Sequence, residues 1–235
     1  MLSVVIPAWN EEARIGSTLV AISDYLEALR EDYEILVVDD GSSDGTAAVV
    51  EAAGRRQVQL LRLPENRGKG AAVRAGVLAS RGHEILFSDA DLATPIGELT
   101  KLRAALARGH DIAIGSRALA ASEVQVRQHP LRQEMGRTFN RLVRLLVLDG
   151  FRDTQCGFKL FRGEVGRELF GRARVDGFAF DVEILLLARP RYKVAEVPVV
   201  WRHVEQSKVS PGRDAARMLW DVIKLRWMQG RRRRS

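Results

Sequence analysis

Glu34-Ile-Leu-Val-Val-Asp-Asp-Gly-Ser-Ser-Asp-Gly-Thr-Ala-Ala-Val-Val50 holds, in order, an apolar run, a polar glycine turn and the start of a helix. Within Glu34–Val38 the four residues after the glutamate are continuous in apolar character and do not alternate, as in a strand of a sheet covered on both faces. Helical spacing over Asp44–Ala53 follows at once. The same unit recurs through the first half of the chain. Leu2–Ile6, Val58–Leu61, Ile85–Phe87 and Ile112–Ile114 read as further buried strands, and Glu12–Leu29, Gly70–Ala79 and Ile96–Ala107 as helices. Pro95 stands where a first helical turn tolerates it. This repetition predicts an α/β fold with a mostly parallel central sheet flanked by helices. Ligands of such sheets bind at the carboxyl ends of the strands.

Those ends carry the polar residues. They are Pro7-Ala-Trp-Asn-Glu-Glu12, Asp39-Asp-Gly-Ser-Ser-Asp-Gly-Thr46, Asn66-Arg-Gly-Lys-Gly70, Asp89-Ala-Asp91 and Gly115-Ser-Arg117. They cluster at one edge and predict one site. Carboxylates at the end of a buried strand are costly unless paired. For Asp89 and Asp91 the fitting partner is Mg²⁺ or Mn²⁺, a hard cation that bridges to substrate phosphates. Asp39 or Asp40 can take a ribose hydroxyl or a base edge, although a capping role for Asp39 before the next helix stays open. Gly68 and Gly70 allow the backbone to approach a ligand closely, with Lys69 beside them. No G-x-x-x-x-G-K-[ST] and no G-x-G-x-x-G after a strand is present, which argues against ATP hydrolysis and hydride transfer.

The 235 residues, 46% of them hydrophobic, suffice for one domain with a full core. We expect a single domain over 1–210 and a basic amphipathic helix and tail over 211–235. One cysteine, Cys156, excludes an internal disulfide framework, and no Cys/His cluster suggests zinc. The four histidines are scattered, as surface or structural residues are. No secretory leader and no membrane-spanning segment is expected.

The net charge of +7 is local. Residues 213–235 carry eight Lys or Arg against Asp214 and Asp221, and residues 117–144 six Arg against Glu123 and Glu134. Those segments together hold +10, leaving −3 elsewhere. Such segments face anionic lipid, phosphate or nucleic acid. The first includes an expected helix over Pro211–Met228. The second includes Gln128–Leu148, a loop leading into a helix with Phe139, Leu142, Val143 and Leu146 on one face. A Phe158–Phe161 strand, an apolar helix opened by Gly177-Phe-Ala-Phe-Asp-Val-Glu183 and a Val194–Trp201 strand complete the reading.

Ser3-Val-Val-Ile-Pro-Ala-Trp-Asn-Glu-Glu12, Val37-Val-Asp-Asp-Gly-Ser-Ser-Asp-Gly-Thr46, Asn66-Arg-Gly-Lys-Gly70 and Asp89-Ala-Asp91 together resemble the inverting family 2 glycosyltransferases, which have the Rossmann-like GT-A fold. Ser88-Asp-Ala-Asp-Leu-Ala-Thr-Pro95, Gly115-Ser-Arg117, Asp153-Thr-Gln-Cys-Gly-Phe-Lys159 and Phe180-Asp-Val-Glu183 resemble the branch of that family that glycosylates a polyprenyl phosphate. The similarity reaches to about Lys208.

The resemblance implies that Pro7, Asn10, Glu11 and Asp39 border the nucleoside, that Asp89, Ala90 and Asp91 flank the diphosphate, and that Asp91 is the more direct metal ligand. It implies that Arg117 and Arg132 neutralise donor or acceptor phosphate, that Gln155 and Lys159 lie on the acceptor side, and that Asp181 with Glu183 sits near the reacting centre. Mannosyl members of the branch often carry Gln two residues past the second Asp, where this chain has Ala93. That favours glucose from UDP-glucose over mannose from GDP-mannose. Asp181 stands open between an orienting or basic role and a helix N-cap, and Arg132 between a phosphate ligand and a solvated residue. The implied enzyme is peripheral on the cytoplasmic face of a membrane. Leu219, Trp220, Ile223 and Trp227, with Arg217, Lys224, Arg226 and the Arg231–Arg234 tail, would meet its anionic surface. The alternative is packing of both basic helices on the sheet. Nucleic-acid binding is disfavoured, because the basic residues lie away from the strand ends and few aromatics are available for stacking.

Overall fold

The computed structural model describes residues 1–124, 150–202, 220–222, 224, 225 and 227. The expected helix within Gln128–Leu148, and Arg132 with it, lie outside these residues. The elements relevant here are β1 (Leu2–Ala8), α1 (Ile15–Ala28), β2 (Tyr33–Asp39), α2 (Thr46–Ala52), β3 (Val58–Arg62), α3 (Lys69–Ala79) and β4 (Glu84–Ser88). Then come a 3₁₀ turn (Ile96–Glu98), α4 (Leu99–Ala107), β5 (Ile112–Ser116), β6 (Glu123–Val124) and β7 (Phe158–Arg162). The chain continues through α5 (Gly163–Arg172), α6 (Phe180–Ala188), β8 (Val194–Pro198) and β9 (Val200–Trp201).

Seven strands form one sheet in the order β3-β2-β1-β4-β7-β5-β8, and β6 pairs with β9 separately. Both faces are covered, which explains the continuous apolar runs. On one side Val5, Val38, Phe87 and Ile114 pack with α3, α5 and α6. On the other Val4, Ile6, Ile35 and Leu86 pack with α1 and α4.

Every pairing in the seven-stranded sheet is parallel except those of β7, which runs antiparallel to β4 and β5, with Ser88 opposite Phe158. The strand's beginning therefore lies at the edge where β4 ends, and the 153–157 turn joins the site there. The apolar spacing of Phe158–Phe161 carries no information about direction.

The first helix starts at Ile15 and not at Glu12, because residues 10–12 are tied to the next strand's loop. Asn10 N donates to Ser42 Oγ at 2.8 Å, Glu11 N to Thr46 Oγ1 at 2.7 Å, and Glu12 Oε2 accepts from Gly45 N at 2.9 Å. The expected final strand is divided at Val199, whose N–H donates to the Ser116 carbonyl, and its last two residues leave the large sheet to pair with β6. Helix α5 is absent from the sequence reading; it opens on a glycine and has Gly166 within it.

Candidate active site

Two loops build one wall. Asp39, fully buried, accepts from Ser42 N at 3.0 Å, and Arg62 Nε lies 3.7 Å from its other oxygen. Asn10, at φ +55°, accepts from Ser43 N at 2.8 Å, and the Glu11 carboxylate pairs with Arg14. Pro7 lies in β1 opposite Val38 of β2, and the Ala8 carbonyl accepts from Asp40 N. The structure thus brings Pro7, Asn10, Glu11 and Asp39 together.

Asp40 and Glu183 have a different place from the one expected of ligand-facing carboxylates. Asp40 accepts from Arg67 N and Gly68 N, each at 2.8 Å. Burial raises its pKa, although these two amides oppose the shift. Glu183 accepts from Arg174 N at 2.9 Å and Val175 N at 2.8 Å. Both carboxylates secure backbone. The loops they hold meet: the Asp176 carbonyl accepts from Ala71 N, and its carboxylate pairs with Arg67 and Arg74. Gly68 sits at φ +108°, and a Cβ there would stand 2.5 Å from the Asp176 carbonyl oxygen. Asp176 was not singled out by the sequence, because its partners lie about a hundred residues away.

This bracing sets Lys69 at the start of α3, with Nζ 2.6 Å from Asp89 Oδ1 and 5.4 Å from the centre of the Phe87 ring. Burial opposes the Lys69 charge, but Asp89 and then Asp181 outweigh it and raise its pKa. A second pair lies deeper. Lys159 Nζ is 2.6 Å from Asp181 Oδ1 and donates to the Cys156 carbonyl, also over Phe87, at 5.6 Å. Both residues are almost wholly buried. Burial pushes the Asp181 pKa up, and Lys159 opposes the shift. Phe87, which the sequence presents only as core, is the platform beneath both ammonium groups.

Asp91 accepts from Ala93 N at 3.0 Å. Its pKa is raised by burial and then by the neighbouring Asp89 charge. Ala90 between them is buried, and its carbonyl accepts from Thr18 Oγ1 at 2.7 Å. Asp89 N donates to the Gly157 carbonyl at 3.0 Å, and a Cβ at Gly157 would overlap the Asp89 carboxylate. Gly157→Ala must therefore displace Asp89. We expect a fall in turnover of about a hundredfold, of the size that displacing a catalytic group by an ångström produces, measured beside the thermal midpoint to separate misplacement from unfolding.

Arg117 leaves β5 and is held by Asp153, Nε to Oδ2 at 2.6 Å and Nη2 to Oδ1 at 2.9 Å. Its Cζ lies 5.7 Å from the Trp201 ring centre. Burial would raise the Asp153 pKa, but Arg117 overrides it and holds the carboxyl at about 2. Gln155 N also donates to Asp153, at 3.2 Å. Asp153, quoted above only within a motif, thus anchors both Arg117 and the 153–157 turn.

A depressed carboxyl stabilises the fold above its unfolded pKa, and that contribution disappears as pH falls from about 4 to 2. The shift is worth roughly 2 kcal/mol. Arg117→Met should lower stability at pH 7 by at least that amount, because Asp153 is then buried without its counter-charge, and should abolish the loss between pH 4 and 2, as read by urea midpoints.

The donor set suits a hard divalent cation. Asp89 already holds an ammonium group, and Asp91 carries a charge that its surroundings disfavour. Among the described residues no group of three or more His, Cys, Asp or Glu converges. A cation held by one or two carboxylates and completed by substrate phosphate is the usual magnesium arrangement.

A mostly parallel sheet with the carboxylate pair, the braced glycine loop and the 153–157 turn at one edge is the GT-A architecture of a nucleotide-sugar-dependent glycosyltransferase. Residues 3–170 match Glycosyl transferase family 2, and the chain belongs to that family. It is 37% identical over 96% of its length to a dolichyl-phosphate beta-glucosyltransferase of Dictyostelium discoideum, covering 74% of that protein. The Homo sapiens protein of the same name is 38% identical, over 97% of this chain and 76% of its own. Among solved structures, glucosyl-3-phosphoglycerate synthase from Mycobacterium tuberculosis, in complex with Mn²⁺, UDP-glucose and phosphoglyceric acid, superposes with a TM-score of 0.75 at 21% identity. The match covers 96% of this chain and 79% of that one, and bears on the fold.

Proposed function

We propose that the protein transfers glucose with inversion from UDP-glucose to a polyprenyl phosphate of the dolichyl type, at the cytoplasmic surface of a membrane. The observation that carries this reading is the Asp89–Asp91 pair, with Lys69 on Asp89, at the strand edge of a family 2 chain whose relatives are named for that reaction.

Inversion takes one in-line displacement. An acceptor phosphate oxygen bonds to the sugar C1 while the bond from C1 to the UDP oxygen breaks, and UDP departs with the electron pair. The acceptor is anionic near neutral pH, so positioning and charge neutralisation suffice and no strong base is needed. Pro7, Asn10, Glu11 and Asp39 border the nucleoside. Asp40 works at one remove, holding Gly68 and Lys69 in place. Lys69 exchanges Asp89 for the diphosphate and offsets its growing charge. Asp89 and Asp91 would hold Mg²⁺ or Mn²⁺, which supplies Lewis-acid stabilisation of the leaving diphosphate when bound.

Asp181 is an orienting group here, since Lys159 already occupies its carboxylate. Arg117 and Gln155 face the acceptor from the turn that Asp153 holds, and Glu183 secures the loop leading into α6. Arg132, outside the described residues, would neutralise donor or acceptor phosphate. No helix among the described residues is long and apolar enough to cross a membrane, and a peripheral position is part of the proposal.

The test supplies polyprenyl phosphate, Mn²⁺ and either radiolabelled UDP-glucose or GDP-mannose. Label should enter the lipid phase from UDP-glucose. Label entering from GDP-mannose alone would overturn the donor assignment.

A further inference from the structure

The described part of the C-terminal helix has two opposite faces. Val222 and Leu225 are buried in the cluster that holds Val73 and Val77 of α3, Phe170 of α5 and Phe180 of α6. Trp220, Lys224 and Trp227 follow the i, i+4, i+7 spacing of a single helix face. Trp220 is 59% and Trp227 70% exposed, more than any other large apolar side chain among the described residues. Lys224 Nζ lies 5.6 Å from the Trp220 ring centre. Trp220 and Trp227, expected with Leu219 and Ile223 to meet a membrane surface, stand outside, while Val222 and Leu225 hold the helix to the core.

Core packing does not account for two outward indoles flanking an ammonium. An indole has an apolar body and a polar N–H, which suits the headgroup layer of a bilayer. Residues 213–235 carry eight Lys or Arg against two Asp, the charge complement of an anionic leaflet. We propose that the Trp220–Lys224–Trp227 face docks the protein on an anionic bilayer, with both indoles in the headgroup layer.

The face is also well placed. Asp221 Oδ2 lies 3.5 Å from where a Cβ on Gly177 would stand, and the Gly177 carbonyl oxygen 2.9 Å from where a Cβ on Gly70 would stand. The docking helix thus stands one loop away from Lys69 and from the start of α6. Seating it on lipid brings the acceptor side of the cleft to the surface where a polyprenyl phosphate resides. The benefit to catalysis rests on the proposed function; the docking itself does not.

The full chain is sedimented with vesicles of phosphatidylcholine alone and of phosphatidylcholine mixed with phosphatidylglycerol, while indole emission is recorded. The wild type should favour the mixed vesicles, with emission moving to the blue. Trp220→Ala with Trp227→Ala should lower partition by at least about tenfold. Lys224→Glu should lower it by about tenfold on mixed vesicles and little on neutral ones. Both variants should keep wild-type transfer to a short, water-soluble polyprenyl phosphate and lose transfer to a long one embedded in vesicles. Wild-type partition in both variants, or no wild-type binding to mixed vesicles, overturns the docking face. Wild-type inactivity on the short acceptor overturns the proposed function instead, and partition still decides the docking question.

Discussion

Asp91→Asn should lower sugar transfer by about a thousandfold or more and leave the fold as stable as the wild type, or more so. The activity loss follows from the carboxylate's place beside Asp89: removing half of the proposed metal site forfeits several kcal/mol of stabilisation for the leaving diphosphate. The stability result follows from the raised pKa of Asp91, caused by burial and then by Asp89. A carboxyl with a raised folded-state pKa favours the fold when protonated, and that contribution disappears as pH rises through the folded pKa. At neutral pH its charge is therefore a cost, which asparagine removes while keeping shape. The Lys69–Asp89 pair remains in the variant. Thermal midpoints with and without Mn²⁺ check both halves, since the wild type should gain stability from the ion and the variant should gain much less. A variant that retains turnover would defeat the metal assignment.

Lys159→Met should be the most destabilising of the site substitutions, costing about 3–5 kcal/mol at neutral pH, the usual effect of stranding one member of a buried ion pair. Lys159 and Asp181 are nearly inaccessible to water and lie 2.6 Å apart, so no solvent replaces the lost ammonium. The deficit should shrink as pH falls. Burial already raises the Asp181 pKa, loss of Lys159 raises it further, and a protonated Asp181 needs no counter-charge. Adding Asp181→Leu should recover most of the stability, because an apolar pair of similar volume often replaces a buried ion pair without loss. It should not recover transfer if Asp181 orients the reacting groups. Urea midpoints across pH for the single and double variants separate these effects, and a pH-independent deficit in Lys159→Met would contradict the ion-pair account.

The sheet was legible because burial on both faces leaves unbroken apolar runs, as in Ile35–Val38 and Ile85–Phe87. The clustering of polar residues at one edge followed from parallel order, and it brought Asp39, Lys69, Asp89 and Asp91 into a single site. Local periodicity does not record strand direction, so the reversal at β7 and the arrival of Gly157 against Asp89 were hidden. Nor does sequence separate a carboxylate that faces a ligand from one that faces amides. Asp40 and Glu183 sit in the same motifs as the residues proposed to face the ligand, yet their oxygens hold Arg67, Gly68, Arg174 and Val175. Asp153 and Asp176 gain meaning only from partners distant in the chain, Arg117 for the first and Arg67, Arg74 and Ala71 for the second. On the C-terminal helix the outward place of Trp220 and Trp227 was legible in the amphipathic pattern, whereas the inward contact made by Val222 and Leu225 was not.

The most direct measurement is the structure of the product. The protein is incubated with UDP-glucose, a divalent cation and polyprenyl phosphate, and the lipid fraction is analysed by mass and by the proton spectrum of the sugar's anomeric position. The account predicts a single glucosyl group joined through phosphate to the lipid in the β configuration, formed only with the cation present. An α-linked product, or glucose released to water with none on the lipid phosphate, would contradict it.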